Sequence, residues 1–249
     1  DINKFSKFKD KIIYIVVDTP PPNLFKIENN DNLDKKQSKM IKNAKEREMH
    51  QINKVQDGII RADPDDIIII SDVDEIPNLE KVNFKEIKQK IIFFRQKMFY
   101  YKLNLYYKMP WYGSKACKKK YFKNAEWLRS IKNKKYPIWR FDICFSNTKY
   151  NNIYSIDDGG WHFTNIRKPE DLEKKLLNFL HYIDFQQSGL KLEDLKKLMN
   201  EKKIMYNHRI DKKKNKWMGG EKLQTLKLEE MPKYIIDNYL RYKPWLDNI

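Results

Sequence analysis

Asp72, Asp74 and Glu75 follow directly behind four isoleucines in PDDIIIISDVDEIP (64–77). An Asp-x-Asp step at the tip of a strand places two carboxylates where they can share one divalent cation. Hard cations such as Mg2+ take oxygen ligands and keep positions open for water and substrate phosphates. Without a cation, three neighbouring acids repel one another. The same step also suits a plain acidic loop ahead of a helix after Pro77, because acids are favourable at a helix N-terminus. Its place behind the isoleucine run favours the metal–diphosphate reading. A second cluster is DDGGWHF (157–163). Paired glycines let a backbone approach a ligand closely. His162 is a candidate metal or diphosphate ligand, and Trp161 offers an aromatic face to the C–H groups of a sugar. By itself this cluster reads as an ordinary tight turn with a core Trp and a hydrogen-bonded His. His181 reads as structural, and His50 and His208 carry no motif.

Other chemistries are excluded by pattern. The chain contains no G-x-x-x-x-G-K-[ST], no G-x-G-x-x-G and no G-x-S-x-G. It has only 7 glycines among 249 residues, so phosphate must be held by a metal and cations rather than by a glycine-rich loop. The two cysteines, Cys117 and Cys144, allow one bridge at most and no zinc spacing, which favours a reducing compartment. The net charge of +17 favours anionic partners. The basic runs 115–124, 132–135 and 211–216 come without a nucleic-acid motif and read as solvated loops and helix faces, so nucleic acid is not the expected partner.

The elements that must hold these residues follow from periodicity. Hydrophobic content of 41% and aromatic content of 14% belong to a folded chain. KIIYIVV (11–17) reads as a strand buried on both faces, and residues 19–36 as loop. Apolar residues at three- and four-residue steps predict a helix over 38–61. IIIIS (67–71) predicts a second buried strand, and the three elements together predict a βαβ unit with a parallel sheet. In such sheets ligands bind beyond the carboxyl ends of the strands, where Asp72, Asp74 and Glu75 lie. Further expectations are a helix over 79–90, one or two strands in 91–107, a turn at KMPWYG (108–113) and a strand over 114–122. A helix over 124–130 capped by Asn124 is expected next, then strands over 138–146 and 153–164. Helices are predicted over 168–183, 192–199 and 233–240. No internal repeat or linker is visible, so a single domain over 1–249 is expected. No apolar stretch reaches the ~18 residues of a membrane span.

The stretches REMHQINKVQDGIIRADPDDIIIISDVDEIP (47–77), YKLNLYYKMPWYGSKA (101–116), EWLRS (126–130), GGWHF (159–163), EKKLLNFLH (173–181) and MPKYIIDNYLRYKPWL together resemble glycosyltransferase family 17. These are the β-1,4-mannosyl-glycoprotein β-1,4-N-acetylglucosaminyltransferases. The resemblance runs from about residue 11 to 246. It implies a GT-A type α/β fold with a mostly parallel nucleotide-binding sheet flanked by helices. It implies a UDP-sugar donor, UDP-N-acetylglucosamine first, a divalent metal such as Mn2+ (or Mg2+), and inversion at the anomeric carbon. By the family motif, Asp74 binds the metal directly and Asp72 reaches it through water or contacts the donor ribose. Glu75 holds the loop or contacts donor or acceptor, and His162 completes the metal or diphosphate contacts. Within the quoted stretches Asn53, Ser71, Asn104, Trp111, Gly160 and Trp161 are the donor- or acceptor-contacting candidates. Arg47 and Arg129 are cationic candidates for phosphate, and each suits a structural ion pair equally well. Ile52 stands where family members often carry Arg, so one polar contact is expected to be missing. An earlier strand found in such chains is expected to be lacking here.

The expected activity is transfer of a sugar from a UDP-sugar to a glycan hydroxyl, with Glu75 or Asp158 as the general base. The rival readings are a metal-dependent nuclease or nucleic-acid binder, which needs further carboxylates converging on two metals, and an inactive glycan-binding module. The scarce cysteines and the missing anchor favour a cytoplasmic setting, with the Golgi lumen as the alternative for an anchored chain.

Overall fold

The computed structural model describes residues 2–134, 136–137, 139–143, 145–178, 182–207, 217 and 220–248. In chain order the main elements are α1 (Leu33–Lys54), β1 (Ile67–Ile70), β2 (Glu75–Pro77), β3 (Ile91–Phe94), β4 (Gln96–Tyr100), β5 (Leu105–Trp111) and β6 (Lys115–Lys118). They continue with α2 (Ala125–Ser130), β7 (Ile153–Ile156), β8 (Gly160–Thr164), α3 (Pro169–Leu177), α4 (Tyr182–Ser188), α5 (Leu192–Asn200) and β9 (Gln224–Thr225). The chain folds as two compact units, one of residues 1–70 and 116–151, the other of 71–115 and 152–249. The class is mixed α/β, with both parallel and antiparallel strand pairs. Among the described residues no helix is long and apolar enough to cross a membrane.

In the first unit, α1 starts at Leu33, five residues ahead of the expected helix start at Ser38. Asn32 accepts the N–H of Lys35 at 2.9 Å, a side-chain cap that satisfies one orphan donor of the first turn. The helix then ends in a 3-10 stretch, Val55–Ile59. Asn43, buried on α1, clasps the backbone of Phe25. It accepts that residue's N–H at 2.7 Å and donates to its carbonyl at 2.8 Å. Asn53 clasps α2 in the same way through the side chain and N–H of Glu126, both at 3.1 Å. The expected Asn124 cap is present, accepting Trp127 N–H at 2.7 Å. Cys117 is buried on β6, where desolvation pushes its thiol up to about 12.

Residues 11–17 depart from expectation. They form no strand, and Ile13, Tyr14 and Val16 are 67%, 82% and 62% exposed. A β-branched run becomes a strand only where a neighbour pairs its backbone, and no ladder reaches this one. The predicted βαβ unit is therefore not formed there, although its helix and its second strand are. The expected helix over 79–90 is also reduced, to one 3-10 turn, Leu79–Lys81. Asn83 competes locally, accepting Lys85 N–H and donating to Glu86, which favours turns over helix. The strand expected over 138–146 is replaced by the 3-10 turn Phe141–Ile143, and Ile138 and Cys144 lie outside the described residues. The helix expected over 168–183 is α3, with α4 beginning at Tyr182. Residues 179–181, and with them His181, lie outside the described residues, as do His208 and the basic run 211–216.

The second unit carries a five-stranded sheet in the order β2-β8-β4-β5-β9, and a separate parallel pair of β3 with β7. Within the five, β4 and β8 run parallel, and β2–β8, β4–β5 and β5–β9 are antiparallel. The expected turn at KMPWYG is instead the end of β5. Pro110 fits there because the β4–β5 register shifts between Lys97 and Met98, and a bulge tolerates a residue with no N–H. Alternation along β4 sends Met98 and Tyr100 to one face, where Leu172, Leu176 and Leu195 of α3 and α5 cover them. Phe99 faces the other way, against Leu226, Met231, Ile235 and Leu246. Burying each such side chain contributes about 1.5–3 kcal/mol.

Asn104 fastens the C-terminal segment to this sheet. It is wholly buried, donates to the carbonyls of Leu226 and Asp247 at 3.2 and 2.8 Å, and accepts Asp247 N–H at 2.7 Å. Every polar group of its side chain is therefore used in holding the fold. Asn104→Ala strands buried backbone groups and is expected to lower unfolding free energy by about 1–3 kcal/mol. Urea denaturation checks this, and an unchanged midpoint contradicts the fastening role.

Candidate active site in the second unit

The two motifs singled out in the sequence lie on adjacent strands. β2 pairs antiparallel with β8, with Glu75 opposite His162, Ile76 opposite Trp161 and Pro77 opposite Gly160. The N–H of Phe163 donates to the carbonyl of Asp74 at 2.8 Å, and that of Asn78 to Gly159 at 2.9 Å. The glycines make this approach possible. A Cβ on Gly160, whose φ is +127°, would sit 2.1 Å from the carbonyl oxygen of Ile76. One on Gly159 would meet Arg95, Ile156 and Phe94 backbone atoms within 3 Å.

Glu75 is the buried pivot of the acidic loop, with 6% of its surface exposed. Its Oε1 accepts the indole N–H of Trp111 at 2.5 Å, and its Oε2 accepts the hydroxyl of Ser114 at 3.0 Å and the N–H of Asp72 at 3.1 Å. The hydroxyl oxygens of Ser71 and Ser114 stand 2.6 Å apart, and Gln96 donates to Ser114 at 3.0 Å. A Cβ on Gly113 would lie 1.6 Å from Oε1, so only glycine fits beside this carboxylate.

Trp111 then carries the geometry to His162. The two rings stack with centroids 4.6 Å apart and planes 22° apart. His162 is buried, its Nε2 stands 3.6 Å from Asp74 Oδ1, and its Nδ1 has no partner among the described residues. Burial works against the charge on Asp74, but its contact with His162 and the Lys175 ammonium outweigh burial, and its pKa falls below the ordinary carboxylate value. Lys175 is half-buried. Desolvation pushes its ammonium pKa down, the Asp74 carboxylate pulls it back up, and Arg167 pushes it down again. It donates to Asn165 Oδ1 at 2.8 Å. A carboxylate and an imidazole are thus gathered beside a stacked indole, and the charge of Lys175 is felt at Asp74.

Not every predicted residue joins this group. Trp161 alternates away from His162, onto the opposite face of β8, where it packs with Phe99 and Phe163 against the apolar cluster. Asp158 lies in the turn ahead of β8 and makes no hydrogen bond or ion pair to His162 or Asp74 among the described residues. It has a φ of +52° and stands 3.4 Å from Lys97. Asp72 is half-buried in the turn before β2. Asn53 and Asn104 are engaged in the clasps described above. Arg129 sits in the last turn of α2, where a cation suits the helix dipole. Arg47 lines a cleft of about 720 Å3 within the first unit, together with Tyr14, Asp18 and His50. Lys175, Asn165 and Ser114 escaped sequence reasoning. Lys175 had a legible signal, since it lies on the same helical face as buried Leu172 and Leu176.

Asp74 and His162 are two side chains that a divalent cation would need as ligands. Two neighbouring ligands of a cation with bonds of about 2.1 Å stand about 3 Å apart, and Asp74 Oδ1 and His162 Nε2 are slightly wider, at 3.6 Å. Among the described residues no group of three or more His, Cys, Asp or Glu side chains is placed to hold a metal ion. The residues therefore offer two ligands at most, and a cation held by them would need its remaining positions filled by substrate oxygens and water. Searches against protein-family models, curated proteins and solved structures match nothing.

The hydrogen bonds of Glu75 yield a direct test. Glu75→Gln removes the charge and places an amide N–H2 toward a donor, which is expected to cost about 1.5–3 kcal/mol, since bonds to charged groups lie in that range. Thermal and urea unfolding measure it. A variant as stable as wild type contradicts the pivot role.

Proposed function

We propose that the second unit binds a nucleoside-diphosphate sugar with a divalent cation and transfers the sugar to a glycan hydroxyl with inversion. The single observation that carries this reading is the β2–β8 register, which brings Asp74 of the Asp-x-Asp step to His162 of the GGWHF cluster. These are the two motifs on which the resemblance to glycosyltransferase family 17 chiefly rests. That resemblance supplies UDP-N-acetylglucosamine as the first donor to test and Mn2+ as the first cation. A bound cation neutralises charge on the leaving diphosphate. Asp74 and His162 would hold it, and the Lys175 ammonium, whose charge acts on Asp74, would add positive charge for the same diphosphate. Trp111 fixes the plane of the imidazole. Glu75 holds the loop, and in the role of general base it would exchange one of its three donors for the acceptor hydroxyl.

Asp74→Asn tests the assignment because it keeps shape and removes charge. With Mn2+ and UDP at about 100 times the dissociation constant, wild type is expected to gain about 2.7 kcal/mol of stability. Asp74→Asn is expected to gain almost none, and EDTA is expected to abolish the gain in wild type. Thermal shifts with and without chelator, beside a UDP-release screen over UDP-sugars, make the measurement. UDP stabilisation indifferent to EDTA, or retained in Asp74→Asn, overturns the reading.

A further inference from the structure

The second unit holds a cavity of about 530 Å3 apart from the cluster around Asp74. That volume lies in the range of small-ligand sites. Four cations border it, Lys102, Arg167, Lys168 and Lys202, against one acid, Asp247. Two of the four are already engaged. Lys202 pairs with Asp247 at 2.5 Å, and Lys102 donates to the carbonyl of Pro244 at 2.8 Å. The side chains of Arg167 and Lys168 are exposed and have no hydrogen-bond or ion-pair partner among the described residues. Trp245, 37% exposed, adds an aromatic surface to the same wall.

The backbone around this cavity is unusual. Five non-glycine residues among those described have positive φ, and three of them border it: Tyr101 at 63°, Lys202 at 54° and Asn248 at 36°. Such conformations are unfavourable for side-chain-bearing residues and persist where the surroundings impose them, often at ligand sites. Tyr101 is held by its buried hydroxyl, which donates to the Lys203 carbonyl and accepts the N–H of Met205, both at 3.1 Å. Lys202 is held by Asp247, and Asp247 by Asn104. The cavity wall is thus fixed before any ligand arrives, which lowers the ordering cost of binding.

We propose that this cavity binds a hexose carrying an anionic group, phosphate or carboxylate. Arg167 and Lys168 meet the anion, and the Trp245 ring packs against the C–H face of the sugar. On the reading given under Proposed function, this cavity seats the charged portion of an acceptor glycan. The binding itself does not require that reading.

Isothermal titration without any nucleotide sugar tests the cavity alone, so a failed transferase assignment leaves the result interpretable. The probes are mannose 6-phosphate, glucuronate, mannose and inorganic phosphate. One anionic sugar is expected to bind at least about tenfold tighter than mannose, and the tighter of the two identifies the group. The double variant Arg167→Gln/Lys168→Gln is expected to lose about tenfold in that affinity. Trp245→Ala is expected to weaken the anionic sugar and leave inorganic phosphate unchanged. Lys132→Gln/Lys134→Gln, an equal charge loss in the first unit, is expected to change nothing. Equal binding of mannose and the anionic sugars overturns the proposal, as does wild-type affinity in the Arg167/Lys168 variant. An equal loss in the Lys132/Lys134 variant assigns the binding to net charge and overturns it too. Inorganic phosphate binding as tightly as the sugar phosphate, with Trp245→Ala without effect, leaves a bare anion site and overturns the sugar assignment.

Discussion

A carboxylate taken out of water must be met by donors, and at Glu75 that requirement organises the second unit. Burial of an unpaired charge is prohibitive, so Trp111, Ser114 and the N–H of Asp72 converge on it. Each of those donors fixes something else. Trp111 is the last residue of β5, and its ring lies on His162. Ser114 joins Ser71 and Gln96. The N–H of Asp72 closes the acidic loop on itself. Gly113 must lack a side chain because the carboxylate occupies the space a Cβ would take. The positions of Asp74 and His162 are consequences of this one buried charge together with the strand pairing beside it.

The sheet imposes a second constraint, through alternation. Neighbouring residues of β8 face opposite ways, so His162 and Trp161 serve different surroundings. His162 turns to Trp111 and Asp74, whereas Trp161 turns to the apolar cluster that Phe99 shares with Leu226 and Leu246. Parallel pairing with β4 places His162 level with Met98, on the face that α3 covers, and the charge of Lys175 on α3 acts on Asp74. A cationic helix residue thereby acts on a group whose members come from strands and the loop before them. The distribution of charge follows the same logic. The chain is strongly basic throughout, yet Lys175 is half-buried, and desolvation lowers its pKa while the charge of Asp74 raises it.

Helix caps, the isoleucine strand and the strands around the paired glycines were legible in the sequence, because each depends on residues within a few positions of one another. Asn124 caps α2 through its own third neighbour, and the alternating burial of β1 lies within four consecutive isoleucines. Local reading failed where formation needed a remote partner. KIIYIVV has the composition of a strand but no ladder, so it stays exposed. Pro110 looked like a turn residue, but a bulge against β4 admits it into β5. Residues 79–90 were expected to form a helix, and the side chain of Asn83 bonds locally in a way that favours turns.

The candidate site divides along the same line. Sequence alone determined that an Asp-x-Asp step stands behind an apolar strand, that a glycine pair precedes Trp161 and His162, and that no glycine-rich phosphate loop exists in the chain. Those are facts of residue type and spacing, and they name the chemistry available. Only the tertiary structure decided that β2 and β8 are neighbours, that His162 rather than Trp161 faces Asp74, that Glu75 is engaged by three donors and that the charge of Lys175 acts on Asp74. Strand pairing and helix docking join residues up to a hundred positions apart. The hydrogen-bonded register and the burial of opposite sheet faces set those contacts, and neither leaves a mark in the local spacing of the chain.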